Sequence, residues 1–181
     1  MSRSLVFTYN IRRSLFQQGA KNFYQPHQLS IRNRQVTILP VVNNLGDSIE
    51  FRAKELARLL PKILYENNNE KCDLVSFSLS GLDARFALSQ LGLHKKVRSL
   101  VTVGTPHQGS KLAWLAERQI FPDKKSEPIA RLLGVGLRPF WEVAPENMIH
   151  FNKTIKDAPS TKVEPLLLSI FRSGLKKCRT T

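Results

Sequence analysis

Apolar residues along the chain fall into short continuous runs separated by longer stretches of helical spacing. The run "QVTILPVV", residues 35–42, predicts a buried strand, with Pro40 marking its end or an edge position. "NNLGD" follows as a turn, and Asp47 with Glu50 three residues on has the form of a capping box that opens a helix. In that helix Ile49, Ala53, Leu56, Leu60 and Ile63 make one apolar stripe, and Pro61 predicts a kink near the last turns. After the loop "ENNNEK", "CDLVSF" predicts a second strand and "LSGLDARFALSQLG" a second helix. Leu79, Leu82 and Phe86 share one face of this helix, and Ala84, Leu88 and Leu91 share another. A helix apolar around so much of its circumference is expected to be buried against a sheet. "KVRSLVTVG" predicts a third strand running into the loop "GTPHQGS". The pattern weakens from 111 to 145; then "PENMIHFNKTI" regains helical spacing and "VEPLLLSIF" predicts a fourth strand. Strands alternating with helices in this way predict an α/β fold, a mainly parallel sheet flanked by helices.

A length of 181 residues predicts one domain, and 41% hydrophobic with 23% charged residues is ordinary for a globular chain. The net charge of +14 is not ordinary. No acid precedes Asp47, whereas Arg3, Arg12, Arg13, Lys21, Arg32 and Arg34 all do, and setting these aside leaves 22 basic against 14 acidic residues. Residues 1–34 therefore read as an aperiodic basic segment with the composition of a mitochondrial transit peptide, ahead of a domain over 35–172 and a basic tail over 173–181. The alternative for the first segment is a disordered basic tail, or an artefact of the gene model, on a cytoplasmic protein. No apolar run reaches transmembrane length, so the basic excess predicts at most contact with an anionic membrane surface. Nucleic acid is not the expected partner, because no recognised motif and no basic stripe interleaved with aromatics occurs. Cys72 and Cys178 make neither a disulfide framework nor a metal cluster, and no cofactor is expected.

Candidate chemistry begins at "DLVSFSLSGLDARF", residues 73–86, where Ser76, Ser78 and Ser80 occupy alternate positions between a strand and a helix. A nucleophile elbow puts a serine on such a turn, above the carboxyl edge of the sheet and over a helix N-terminus. Ser78 has that context, but Ser76 and Ser80 stand where glycines are usual. On this stretch alone the opposing reading is the better one: Ser80 caps the helix while Ser76 and Ser78 bond locally.

The wider stretch, residues 73–110, resembles the bacterial-type triacylglycerol lipases and their mitochondrial relatives among the α/β-hydrolases. That family reads as a strand, G-H-S-x-G-G-L, an A-R-Y-like segment, a second strand and G-T-P-H-x-G-S. Here Gly81-Leu82 and Ala84-Arg85-Phe86 fall in place after the serine, and Gly104, Thr105, Pro106, His107, Gly109 and Ser110 complete the later motif. "GDSIEFRAKELARLL" and "FWEVAPENMIHFNKTIKDAPSTKVEPLLLSI" extend the likeness over about residues 36–171. The resemblance implies a partial α/β-hydrolase fold, a lipase or esterase acting on acylglycerol-like esters, Ser78 as nucleophile and the Leu79 N–H as an oxyanion donor.

It also implies groups that the sequence does not supply. The family's acid follows the strand that "VEPLLLSIF" resembles and its histidine comes later, yet neither residue type occurs after Glu164. No His-Gly turn is present for the second oxyanion donor, and Gly19 is no substitute. Of the four histidines, His27 lies in the basic segment, His94 stands beside Lys95 and Lys96, and His107 belongs to the motif loop. His150, the remaining candidate base, falls on a helix. Two expectations follow: a serine esterase, or a lipase-like chain without catalysis, as a pseudoenzyme or a truncated product. The apolar stretch "RLLGVGLRPFW", residues 131–141, is either lid-like and lipid-facing or plain core.

Overall fold

The computed structural model describes residues 4–12, 27–31, 34–43, 47–111, 115, 141–157 and 162–166. At its centre is a six-stranded sheet of β1 (Ser4–Arg12), β2 (His27–Ile31), β3 (Arg34–Asn43), β4 (Cys72–Phe77), β5 (Val97–Val103) and β6 (Lys162–Leu166). Their order is β2-β3-β1-β4-β5-β6; β2 runs antiparallel to β3 and every other neighbouring pair is parallel. The described helices are α1 (Ile49–Glu66), α2 (Ser80–Gln90) and α3 (Pro145–Thr154), with a 3₁₀ turn at Leu93–Lys95.

The strands and helices expected from residue 35 onward are present, but two strands precede them. Far from being an aperiodic appendage, Ser4–Arg12 lies in the middle of the sheet, paired with β3 through Leu5↔Val36 and with β4 through Thr8↔Ser76. Val6 and Thr8 are both fully buried there. The strand was hidden because its stability comes from two neighbours distant in sequence, while the flanking arginines dominate the local composition. The tail over 173–181 and most of the lid-like stretch fall outside the described residues.

Pro40 is tolerated for a reason legible only in the register. Among the described residues β2 pairs with β3 as far as His27↔Ile38, so from Leu39 onward the described neighbour of β3 is β1. The stripe on α1 is buried throughout, from Ile49 to Ile63, and the helix continues past Pro61 to Glu66. Its cap lies one residue later than Asp47 suggested: the Ser48 hydroxyl accepts from the Phe51 N–H at 3.1 Å, and Glu50 pairs outward with Lys54. Ala53, Leu56, Leu60 and Leu64 of α1 pack with Ala84, Ala87 and Leu88 of α2 over Val6, Leu39, Leu74 and Leu100 of four strands. Each such leucine contributes about 1.5–3 kcal/mol by leaving water. This shared core fixes the start of α2 against β1, β4 and β5, and so positions the turn at Ser78.

Candidate active site

Ser78 sits between the end of β4 and the first turn of α2, and is solvent-exposed. Its φ is +54°, in the left-handed region where a side chain costs about 1–2 kcal/mol. Asn68 is the other described non-glycine residue there, but it lies in a surface turn after α1, whereas Ser78 crowns the sheet. The Ser78 N–H donates to the Val103 carbonyl of β5 at 2.8 Å. The Ser78 carbonyl accepts from the Gly81 N–H at 3.1 Å and from the Thr105 hydroxyl at 2.7 Å. The Leu79 N–H has no hydrogen-bond partner among the described residues. An exposed serine on a strained turn, followed by an unengaged N–H at a helix start, is the geometry of a nucleophile elbow.

The two flanking serines do not take the parts that the cap reading gave them, a helix cap for Ser80 and a local bond for Ser76. Ser76 is fully buried and its Oγ lies 2.7 Å from Thr8 Oγ1 on the neighbouring strand. The Ser80 hydroxyl points at two carbonyls, Phe77 O at 2.6 Å and Thr8 O at 3.0 Å, while α2 begins from Leu79 without a side-chain cap. Both serines therefore stitch the elbow to β1. The hydroxyls they add in place of glycine find partners there. Gly81 is different. A Cβ at this position would stand 2.1 Å from Thr105 Oγ1, so the close approach of α2 and the "GTPHQGS" loop requires glycine.

That loop is braced from three sides. His107 Nε2 lies 2.8 Å from Thr102 Oγ1 and Nδ1 lies 3.2 Å from Arg85 Nη1. Arginine can only donate, so Nδ1 accepts and Nε2 carries the proton toward Thr102. Burial, with the Arg85 charge adding to it, lowers the His107 pKa from 6.5 to about 4, so the ring is neutral at pH 7 with both nitrogens engaged. Asn152 of α3 donates to the His107 carbonyl at 2.7 Å. Arg85 also reaches Asn152 Oδ1 at 2.9 Å and Asp157 Oδ1 at 3.0 Å, and lies over the Phe151 ring at 5.6 Å. Gly109 has φ +89° and passes so close to Pro145 that a Cβ would clash at 2.6 Å.

Beneath the elbow, Arg52 of α1 and Asp83 of α2 form a buried ion pair. Arg52 Nε is 3.0 Å from each Asp83 oxygen, and Nη1 donates to the Asp47 carbonyl. Nη2 lies 3.0 Å from Asp83 Oδ1 and 3.6 Å from Glu142 Oε2, without a well-aligned hydrogen bond to either. Glu142 in turn accepts from the Ile49 N–H at 3.0 and 3.1 Å, a carboxylate on a helix N-terminus.

The remaining candidates are dispersed. His150 is exposed on α3 and lines a cleft of about 530 Å³ with Ile49, Phe86, Trp141, Phe151 and Ile155; Ser78 does not line it. No described side chain hydrogen-bonds to the Ser78 hydroxyl. His94 is half-buried rather than solvent-facing, its Nδ1 2.9 Å from the Leu88 carbonyl. His27 lies on β2. Burial pushes the Cys72 thiol up to about 12, which removes it as a rival nucleophile. Pro106 and Ser110 belong to the loop backbone, where Gly109 N–H donates to Pro106 O at 3.0 Å and Ser110 N–H to Val143 O at 2.8 Å. Sequence reasoning missed Thr8 and the Arg52–Asp83 pair, since nothing in spacing joins residues on different elements; Arg85 was visible only through the resemblance.

The sheet order, the elbow and the loop after β5 together define a partial α/β-hydrolase fold. No protein-family model matches the sequence, and no curated protein matches it either. Solved structures do. The lipase BlEst2 of Bacillus licheniformis in its mature form superposes with a TM-score of 0.64 at 23% identity, over 91% of this chain and 65% of that one. Its propeptide form gives 0.65 at 23% identity, over 91% and 35%. Phospholipase PlaB of Legionella pneumophila gives 0.57 at 11% identity, over 92% and 39%. The chain thus spans less than two thirds of the length of each of these neighbours.

Proposed function

We propose that the chain carries the nucleophile of a serine hydrolase acting on carboxylic esters of the acylglycerol type, with Ser78 as the attacking residue. One observation carries this reading. Ser78 holds an energetically costly backbone conformation at an exposed turn, directly before an unengaged N–H. A structural serine has no need of that strain, whereas a nucleophile must project from the sheet edge toward an oxyanion donor. The names of the superposing proteins, a lipase and a phospholipase, support lipid esters as the substrate class. The strand that precedes the family's second oxyanion donor has a counterpart in β1, which pairs with β4 as far as Thr8↔Ser76 and runs on to Arg12; residues 13–26 lie outside the described set.

The test is labelling by a fluorophosphonate probe. Ser78 is expected to be modified in the folded protein and not after Ser78→Ala. No labelling, or equal labelling of both proteins, refutes the reading.

A second reading, a lipase-like chain without turnover, is favoured by the Ser78 hydroxyl, to which no described side chain hydrogen-bonds. The histidine of the motif loop has both ring nitrogens engaged and so is not placed as a base. Ester hydrolysis abolished by Ser78→Ala excludes it. A mitochondrial address is proposed on the acid-free N-terminal composition alone. Because β1 belongs to the sheet, import is expected to leave Ser4–Arg12 attached, which N-terminal sequencing of the imported protein checks.

A further inference from the structure

The Ser78 carbonyl and the Leu79 N–H are two ends of one planar trans peptide unit. Whatever holds the carbonyl therefore aims the N–H in the opposite direction. Two donors hold it: the Gly81 N–H at 3.1 Å from within the first turn of α2, and the Thr105 hydroxyl at 2.7 Å from the loop after β5. The first comes from the same short turn and moves with it. The second comes from outside, and bonds from two directions restrain rotation of the peptide plane.

Thr105 is itself fixed. It is 8% exposed, and its carbonyl accepts the His107 N–H at 2.9 Å, where the ring is held by Thr102 and Arg85. Its side chain reaches Ser78 only because residue 81 has no Cβ, which would otherwise stand 2.1 Å from the hydroxyl oxygen. The strained φ at Ser78 makes the outside bond necessary: a residue at +54° lowers its energy by rotating out of that conformation, which carries the next N–H away with it. The geometry points to Thr105 as the positioning residue that aims the Leu79 N–H at the oxyanion site. It does so through the Ser78 carbonyl, without touching substrate. The inference rests on the serine-hydrolase reading for its catalytic meaning, but the aiming itself is a structural claim.

The direct test measures residual dipolar couplings of ¹⁵N-labelled full-length chain in wild type, Thr105→Val and Thr105→Ser. Thr105→Val keeps the branched shape and removes the donor; Thr105→Ser keeps the donor and removes a methyl. The Leu79 N–H coupling is expected to change in Thr105→Val while β4 and β5 amides do not, and to return to the wild-type value in Thr105→Ser. An unchanged Leu79 coupling in Thr105→Val overturns the inference. If Thr105→Val does not fold, wild type alone decides: the Thr105 hydroxyl proton is expected to be protected from exchange with water by its bond to the Ser78 carbonyl, and a hydroxyl that exchanges freely overturns it. In catalysis, losing a whole oxyanion donor costs about 10²–10³ in rate, so misaiming one is expected to lower kcat about tenfold with KM unchanged. A wild-type protein that fluorophosphonate does not label rejects the hydrolase reading, while the coupling experiment still decides whether Thr105 aims the amide.

Discussion

Asp83→Asn is the substitution expected to damage the fold most without touching Ser78. Both carboxylate oxygens lie 3.0 Å from Arg52 Nε, and Oδ1 lies 3.0 Å from Nη2 as well. The two side chains are 3% and 2% exposed, so water replaces neither partner. At that separation and an effective dielectric near 20, a unit pair interacts by about 5 kcal/mol. The asparagine amide retains one acceptor and turns a donor toward the guanidinium, and Glu142 at 3.6 Å recovers part of the charge interaction. The net loss is expected near 3 kcal/mol, at the lower end of the range for breaking a buried pair. In a chain of this length that corresponds to a fall of about 6–12 °C in Tm. Urea unfolding at pH 7 of wild type, Asp83→Asn and the double variant Arg52→Leu/Asp83→Leu measures it. The double variant removes both buried charges, leaves the part-exposed Glu142 on the Ile49 N–H, and is expected to be more stable than Asp83→Asn. A loss below about 1 kcal/mol for Asp83→Asn, or a double variant less stable than the single one, refutes the assignment of a desolvated, mutually dependent pair.

Three further outcomes follow from the same site. Ser78→Gly relieves a left-handed strain of about 1–2 kcal/mol at the expense of about 0.4–1 in unfolded-state entropy, so it is expected to be more stable than Ser78→Ala, which keeps the Cβ; equal stabilities in denaturant contradict the strain. Gly81→Ala drives a Cβ to 2.1 Å from Thr105 Oγ1 and is expected to cost about 1–3 kcal/mol and to slow probe labelling of Ser78. Labelling at the wild-type rate would show that the contact does not shape the elbow. His107 has a folded pKa near 4 against 6.5 when free, so the unfolded chain binds more protons between those values. Its contribution to stability is complete above about pH 6.5 and is lost as pH falls toward 4. Denaturant titrations at pH 7 and pH 5 are expected to show a smaller decline in His107→Gln than in wild type, and an identical decline in both removes His107 as the cause.

Much of the architecture was legible because it is written in local periodicity. The stripe from Ile49 to Ile63, the apolar circumference of residues 79–91 and the runs at 72–77 and 97–103 each specify an element from neighbours along the chain. The cap at Ser48 instead of Asp47 is a one-residue error of the usual kind, decided by which side chain met the Phe51 N–H. β1 was a larger omission. Val6 and Thr8 are buried by β3 and β4, and nothing within Ser4–Arg12 announces those partners.

The same division holds at the site. By itself the sequence determined that a serine stands between a strand and a helix, and that Gly81 and "GTPHQGS" accompany it. It pointed to Ser78 through the motif, but it did not show how the hydroxyls of Ser76, Ser78 and Ser80 differ, because that depends on what surrounds each. The tertiary structure separated them: Ser76 faces Thr8, Ser80 bonds backward to Phe77 and Thr8, and Ser78 alone is exposed at positive φ. That separation comes from the pairing of β1 with β4 and the contact of Thr105 with the elbow, both between residues far apart in the chain. Periodicity records which way a residue faces on its own element; only the packed sheet decides what it meets there.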